Sequence, residues 1–469
     1  MKIKDSNVII LVVDSLRLDH VGVYHRGNKR FEAISPCNTP NLDRFSENCM
    51  IFENAYPEAL PTIPFRIALM TGQRTLPFRG WEPLRDNDIT ITEILKQEGY
   101  TCGFISDVDH YRAAGMNFHK GFDEYRWIRG QEYDPYNSAP TRRNINKYTN
   151  DKYDETWKKR ISQFLANTDE FKTIDDWFSA KVVEESIGWL KRNRKQNKKF
   201  LFIDCFDPHE PWDPPKDFDT YTDSNYKGKR LILPMGGEMD KWATQEEVNY
   251  IRGLYAGEVT SVDYQLGKLF NFFYKEGYME NSIIVLVADH GHPLGDHGKF
   301  LKGTDRMYSE LLKIPFMIHL PGNKNAKIRT EALVQNHDVL PTILDLLGMN
   351  NNISAMHGNS LLPVLKGETN EHYKAIITGY FSPATPRGDT HRCERCIRDK
   401  EWSYIMIPDG RDELYNLKND WKEEKNIITS YPEEAKRLSN MFGAYFKDRS
   451  AGPIKGIQGR YEMSSSSLE

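Results

Sequence analysis

The sequence predicts an α/β fold: a large mixed, mainly parallel sheet flanked by helices, with a small C-terminal α+β subdomain. Three observations support this prediction. Short apolar runs rich in Ile, Val, Leu and Phe have the composition of buried parallel strands. Amphipathic helical patterns at 89–99 and 179–195 lie between those runs, and such alternation is typical of a parallel sheet. The last hundred or so residues change to short strand-like runs and turns, followed by one helical pattern.

The strand-like runs also indicate where a ligand would bind. They are NVIILVVD at 7–14, TCGFISD at 101–107, FLFIDCF at 200–206 and SIIVLVAD at 282–289. Ligands of open α/β sheets bind at the carboxyl ends of the strands. Asp14 and Asp289 end two of the runs there, and Asp107 ends a third.

The change in pattern predicts two units. We assign residues 1–370 to the large catalytic domain and 371–463 to the small C-terminal α+β subdomain. Within the large domain, residues 128–172 are polar and aromatic and lack the periodicity of a core element. Long segments of this kind are usually functional or disordered. We interpret this one as a lid over the site, with a surface excursion or an oligomer contact as alternatives.

The bulk composition excludes several classes of protein. The 469 residues carry a formal net charge of −4, which gives no reason to expect a nucleic-acid partner. No run of 18 apolar residues occurs, so we expect no membrane association through a spanning helix. The N-terminus resembles no signal peptide, and we expect a cytoplasmic protein. Homo-oligomerisation stays open.

A carboxylate and an imidazole stand together after the last strand-like run. His290 follows Asp289 directly, and the pair suits a divalent metal of zinc or manganese type. For this pair alone, a capping Asp beside a structural His is the simpler interpretation. Asp14 favours the metal, because it ends another strand of the same pattern.

The stretch TIPFR at 62–66 begins a helical pattern. It is either a plain helix start or a nucleophile directed at an anion. Pro64 suits the first position of a helix, and the helix N-terminus beside Thr62 would favour an anion there. A metal on the Thr62 oxygen would make it nucleophilic. Arg66, one turn further, can hold an anionic oxygen, and this combination favours the nucleophile.

These motifs carry a family resemblance. TIPFR resembles the C/S-x-P-x-R signature of the sulfatase branch of the alkaline phosphatase superfamily. NVIILVVDSLRLDHVGVY is similar to the family's opening metal strand, FDPHEPW to its D-P-H-x-P segment, and DHGHPLGDHGKFLKG to its second metal motif with the following lysine. HGNSLLPVLKG and DELYNLKND resemble its closing motifs. The resemblance covers nearly the whole chain in order and implies an alkaline phosphatase-like fold.

The resemblance also implies the site residues. Asp14, Asp289 and His290 would bind one divalent metal, with Thr62 completing the ligands. His209 could protonate a leaving oxygen or be a structural loop histidine. The remaining implied group is Lys302, which could neutralise charge in the transition state or be a solvated surface lysine.

Two departures concern the metal and the substrate. Many members have a second carboxylate where this chain has Ser15, and an Asn where it has His290. Fewer oxygen ligands and an imidazole favour Mn2+ or Zn2+ as the metal, with Ca2+ as the alternative. The family's usual Lys-x-His is absent, and SDVDHYR occupies that region. Asp107 and His110 are therefore candidates for binding a cationic or hydroxylated part of the substrate. The alternative is that they orient the residues that contact the substrate.

The largest departure is Thr62 itself. Sulfatases oxidise a Cys or Ser at this place to formylglycine, and the methyl group of threonine prevents that reaction. A sulfated threonine would have no internal route of release, whereas water at a metal site can cleave a phosphothreonine intermediate. From the sequence we therefore expect hydrolysis of a phosphate diester or phosphonate monoester, a small anionic ester. The alternatives are sulfate ester hydrolysis and a non-catalytic binding protein.

Overall fold

The computed structural model describes residues 3–76, 78–112, 115–349, 356–380, 394–408 and 410–447. The strands in these ranges are β1 (Asn7–Val13), β2 (Met50–Tyr56), β3 (Thr101–Ser106), β4 (Glu124–Trp127), β5 (Lys199–Cys205), β6 (Gly237–Glu238), β7 (Ser282–Ala288), β8 (Lys299–Phe300), β9 (Phe316–His319), β10 (Ile328–Gln335), β11 (Ile376–Gly379), β12 (Arg395–Arg398), β13 (Trp402–Met406) and β14 (Glu413–Asn416).

The large sheet has eight strands in the order β10-β2-β9-β7-β1-β5-β3-β4. β9 runs antiparallel to both of its neighbours, and the other neighbouring pairs are parallel. The four apolar runs of the sequence form the adjacent strands β7, β1, β5 and β3. Their residues are almost completely buried because helices cover both faces of a parallel sheet. The predicted mixed, mainly parallel sheet is confirmed.

The α-helices are α1 (Gly22–His25), α2 (Pro40–Ser46), α3 (Thr62–Thr71), α4 (Ile91–Gln97), α5 (Glu155–Asn167), α6 (Phe178–Arg192), α7 (Gln245–Lys275), α8 (Tyr278–Asn281), α9 (Ser309–Leu312), α10 (Val339–Leu347), α11 (Leu362–Leu365) and α12 (Pro432–Lys447). α4 and α6 match the two helical patterns of the sequence. In the described part of the chain, no helix combines the length and the apolar character needed to cross a membrane.

Residues 128–172 contain a helix that the sequence interpretation missed. α5 begins after Asp154, whose side chain accepts a hydrogen bond from the Trp157 amide as an N-cap. Ile161, Phe164 and Leu165 are buried on one face of the helix. The segment is therefore partly packed into the core, and its interpretation as a lid stays a prediction.

The C-terminal subdomain is a four-stranded antiparallel sheet in the order β11-β12-β13-β14, with α12 packed against it. It shares a buried apolar cluster with the large domain, in which Tyr56, Leu311 and Leu333 pack with Ile376 and Ile405. The antiparallel sheet and helix confirm the predicted α+β character. The boundary at 370 stays a prediction, and the predicted end at 463 lies outside the described residues.

A partly buried histidine joins the same two units. His297 Nδ1 lies 2.6 Å from Glu310 Oε1, and its Nε2 lies 3.1 Å from the Glu423 carbonyl oxygen. The ring stacks on Tyr308 at 3.7 Å between centroids. Burial is the largest single effect and would lower the pKa of His297, but the hydrogen bond and charge of Glu310, together with the Glu423 carbonyl oxygen and the Asp296 charge, raise the pKa to about 9.

Candidate active site at the carboxyl edge of the sheet

The two strand-end aspartates lie side by side. β1 and β7 are neighbours in parallel register, with Val13 opposite Ala288, so the next residues, Asp14 and Asp289, leave the sheet at the same edge. Ligand atoms of Asp14, Asp289 and His290 all lie within 4.8 Å of one another, and all three residues are buried. The structure therefore brings together the three metal ligands expected from the sequence.

The protonation of His290 suits a metal ligand. Its Nδ1 lies 2.8 Å from the Gly291 carbonyl oxygen, which assigns the proton to that nitrogen. Its Nε2 is buried and has no hydrogen-bond partner within the described ranges. Burial lowers the pKa of His290 to about 4, so the imidazole is neutral near pH 7 and keeps a lone pair on Nε2.

Thr62 is the first residue of α3, directly after Pro61. Pro64 is thus the third helical residue rather than the first, still within the turn whose N–H groups have no helical partner. The Thr62 side chain is buried, and its Oγ1 forms no hydrogen bond with any residue that the structure describes. An unpaired buried hydroxyl costs free energy unless a ligand binds it. The donor set of Asp14, Asp289 and His290 therefore fits a divalent metal, and the Thr62 hydroxyl stays the expected fourth ligand.

Arg66 is surrounded by carboxylates. Its Nε and Nη2 donate to the two oxygens of Asp204 at 2.9 and 2.7 Å. Its Nη1 donates to Asp289 at 2.5 Å and to the Thr62 carbonyl oxygen at 3.2 Å, and its Nη2 also donates to Asp14 at 3.0 Å. These bonds occupy all five N–H donors of a guanidinium. The sequence predicts instead that Arg66 holds a substrate oxygen, a role that stays untested.

The charges explain this arrangement. Asp14, Asp204 and Asp289 are fully buried together, and buried carboxylates need a cation or a proton. Burial and the neighbouring Asp289 carboxylate raise the pKa of Asp14 well above its usual value. Arg66 offsets part of this charge, and a divalent cation would offset more.

A second cluster contains both of the other predicted catalytic residues. Lys302 Nζ lies 2.8 Å from His209 Nε2 and 2.9 Å from Glu210 Oε2. His209 Nδ1 lies 2.8 Å from the Glu210 carbonyl oxygen, so Nδ1 carries the imidazole proton and Nε2 accepts from Lys302. Burial and the Lys302 charge hold the pKa of His209 well below its usual value. The Lys302 charge also lowers the pKa of His290, after the larger effect of burial, so the two clusters are close enough to interact electrostatically.

Asp107 and His110 occupy different surroundings. The Asp107 carboxylate accepts hydrogen bonds from the Phe206 amide at 2.7 Å and from Gln131 Nε2 at 2.9 Å. It is therefore bound to protein groups, and its substrate role stays a prediction. The His110 ring lies 5.8 Å from the His209 ring, centroid to centroid. Burial lowers the pKa of His110 to about 3, so this imidazole is neutral.

Three carboxylates of this region were not predicted. Asp204 lies within the apolar run of β5, where a carboxylate in a buried strand was the available signal. Glu210 stands beside His209 in FDPHEPW. Glu132, in the 128–172 segment, has its Oε1 3.7 Å from His209 Nδ1. Nothing in the local pattern around Glu132 marks it, because its contact spans the fold.

The fold is alkaline phosphatase-like, and the similarity to known proteins identifies a hydrolase acting on ester bonds. Residues 6–349 match the family model named Sulfatase, and residues 295–444 match the model of the N-sulphoglucosamine sulphohydrolase C-terminal region. Because the first match covers most of the chain, the protein belongs to the sulfatase family.

Relatives extend over almost the whole chain. An arylsulfatase of Clostridium perfringens is 28% identical, with 97% of this chain and 95% of that protein covered. The multifunctional alkaline phosphatase superfamily protein PehA of Trinickia caryophylli is 24% identical, with 90% and 91% covered. The phosphonate monoester hydrolase structure of Agrobacterium radiobacter has a TM-score of 0.71 at 19% identity, with 94% and 95% covered.

Proposed function

We propose that the chain is a metal-dependent hydrolase of a small anionic ester, with Thr62 as its nucleophile. The observation that carries this proposal is the Thr62 hydroxyl, which is buried and unpartnered among the described residues. The carbonyl oxygen of Thr62 and the Asp289 carboxylate both accept hydrogen bonds from Nη1 of Arg66. A hydroxyl held at a helix start beside a metal-type donor set is positioned to attack an anionic ester.

The metal ligands in this proposal are Asp14, Asp289, His290 and the Thr62 hydroxyl. The imidazole favours Mn2+ or Zn2+, and Ca2+ is the alternative. A divalent cation at this place supplies Lewis acidity, which lowers the pKa of the hydroxyl and stabilises charge on the ester oxygens. Arg66 orients Asp14 and Asp289 and offsets their charge.

Lys302 and His209 serve the leaving group. The neutral His209 imidazole accepts a hydrogen bond of 2.8 Å from the Lys302 ammonium. The pair thus holds one acidic proton at Nζ or Nε2, which it donates to the leaving oxygen as that oxygen gains negative charge. Glu210, which also binds Lys302, keeps the ammonium in place. Asp107 acts as a positioning residue through the Phe206 amide, and His110 borders the leaving-group side.

A sulfate ester is the first candidate substrate, because the arylsulfatase of Clostridium perfringens is similar over almost the entire chain. With Thr62 as the nucleophile, release of sulfate then requires attack by water on the sulfated threonine, since threonine has no internal route of release. This order reverses the expectation from the sequence, which placed a phosphate diester or phosphonate monoester first. Thr62 keeps that second candidate open, since its methyl group prevents oxidation to formylglycine. The likenesses to PehA and to the phosphonate monoester hydrolase fold are in line with it.

The test is a screen of matched 4-nitrophenyl esters: sulfate, phosphate diester, phosphonate monoester and phosphate monoester, each with Mn2+, Zn2+ or Ca2+. Thr62→Ala should abolish turnover, and Thr62→Ser should retain substantial activity because the hydroxyl remains. Accurate-mass analysis of the peptide containing Thr62, after reaction with a slow substrate, should show a sulfo or phospho adduct. Full turnover by Thr62→Ala would refute the nucleophile.

A further inference from the structure

A small cavity adjoins the Lys302–His209–Glu210 cluster. It has a volume of about 80 Å³, and its lining includes Glu132, Tyr133, Trp157, Arg160, Glu210 and Leu301; we call it the Arg160 pocket. At ~30 Å³ per water, it has room for two or three waters or for a small polar group in their place. Four of these lining residues belong to the 128–172 segment.

Arg160 is held in the pocket by stacking. Its guanidinium carbon lies 4.8 Å from the centroid of the Tyr133 ring and 5.1 Å from that of the Trp157 ring. Such contacts with aromatic rings orient a planar guanidinium. Within the described ranges, Arg160 has no ion pair and no hydrogen bond. Its donors are therefore oriented but unused.

The acidic residues that line the pocket do not neutralise the charge of the Arg160 guanidinium. Glu210 is paired with Lys302. Burial, with the charge of Glu210, raises the pKa of Glu132 to about 8, so Glu132 is mostly uncharged at pH 7. Its Oε2 is buried and unpartnered among the described residues. The pocket thus offers a cation and a neutral carboxyl group next to the place of the leaving oxygen.

We propose that the Arg160 pocket binds a second anionic group, a carboxylate or a sulfonate-type group, on the alcohol part of the substrate. The preferred substrate is then an ester of an acidic alcohol, with one anion at the reactive centre and another against the Arg160 guanidinium. This inference rests on the proposed function, because Lys302 and His209 mark the leaving-group side. It gives the 128–172 segment a role in substrate choice.

The test that does not require turnover is binding of the alcohol product. The probes are 3-carboxy-4-nitrophenol and its neutral carboxamide, titrated at pH 7 by ligand-detected NMR. The wild type should bind the carboxylate about tenfold more tightly than the carboxamide, the ratio expected for a single charge-assisted contact. Arg160→Gln should bring this ratio close to one, and Arg160→Lys should keep part of it.

The matched control is Arg142→Gln. Arg142 lies in the same segment but is exposed and paired with Glu170, so this variant should keep the wild-type ratio. An equal ratio in wild type and Arg160→Gln, or no preference in the wild type, would overturn the inference.

Kinetics separate this inference from the proposed function. The sulfate, phosphate diester and phosphonate esters of the two phenols should show the same preference in kcat/KM. Turnover of the esters of both phenols at equal kcat/KM would refute the pocket and support the hydrolase. An Arg160-dependent binding preference without turnover of any ester would support the pocket and refute the hydrolase.

Discussion

Thr62→Val separates the functional role of the hydroxyl from its structural role. Valine keeps the shape of threonine and replaces the hydroxyl by a methyl group. The Thr62 Oγ1 is buried and unpartnered among the described residues, and leaving a hydroxyl in this state costs ~1–3 kcal/mol. In metal-free protein, the free energy of unfolding should therefore rise by about 1 kcal/mol, although most core substitutions destabilise a protein.

Thr71→Val in the same helix is the control. Thr71 is equally buried, but its Oγ1 donates to the Ile67 carbonyl oxygen at 2.7 Å. Losing this hydrogen bond should lower the free energy of unfolding by about 1 kcal/mol. The two variants should differ by about 2 kcal/mol, with opposite signs relative to the wild type.

The assay is urea unfolding with a chelator present, together with turnover of the best ester from the screen. Thr62→Val should lower kcat/KM by about a thousandfold or more, ~4 kcal/mol of barrier, whereas Thr71→Val should retain turnover. Added Mn2+ or Zn2+ should stabilise the wild type more than Thr62→Val, because the hydroxyl is a proposed ligand. Equal destabilisation by both variants in chelator would show that the Thr62 hydroxyl has a protein partner, and the reasoning would fail.

Three further predictions concern charge. Asp289→Asn, or chelation of the wild type, should abolish turnover and the thermal shift given by added metal; a metal shift that survives Asp289→Asn would refute this ligand. Asp204→Asn should lower the free energy of unfolding by ~3 kcal/mol, at the low end for breaking a buried pair, because Asp14 and Asp289 still contact Arg66; urea titration measures it. The pKa of His297 is raised from 6.5 to about 9, so its stabilisation is complete below pH 6.5 and is lost as pH rises through 9. Wild type should thus lose stability relative to His297→Gln over this range, and parallel curves would contradict the pairing with Glu310.

Much of the fold could be predicted because its signals are local. Each buried strand of a parallel sheet is a continuous apolar run, and the aspartates that follow such runs meet at one edge when the strands are neighbours. Asp14 and Asp289 were placed together for this reason. α5 was missed although Trp157, Ile161 and Leu165 have helical spacing, because charged residues dominate the segment.

The contacts of the site residues could not be predicted in the same way. Arg66 and Asp204 are separated by 138 positions, and only the folded sheet shows that the guanidinium lies among three carboxylates. The edge-to-face contact of His110 with His209 likewise depends on the path of the loop after β3. A residue type at a motif position indicates which chemistry is available, whereas its partners depend on the whole topology.

The apolar cluster shared by the two units has a consequence for biosynthesis. Leu311 and Leu333 emerge from the ribosome well before Ile376 and Ile405, which cover them in the finished protein. At a synthesis rate of ~5–20 residues per second, this surface stays uncovered for several seconds until the strands that pack on it have been made. A nascent chain halted before β11 should therefore expose an apolar face and be a target for chaperones.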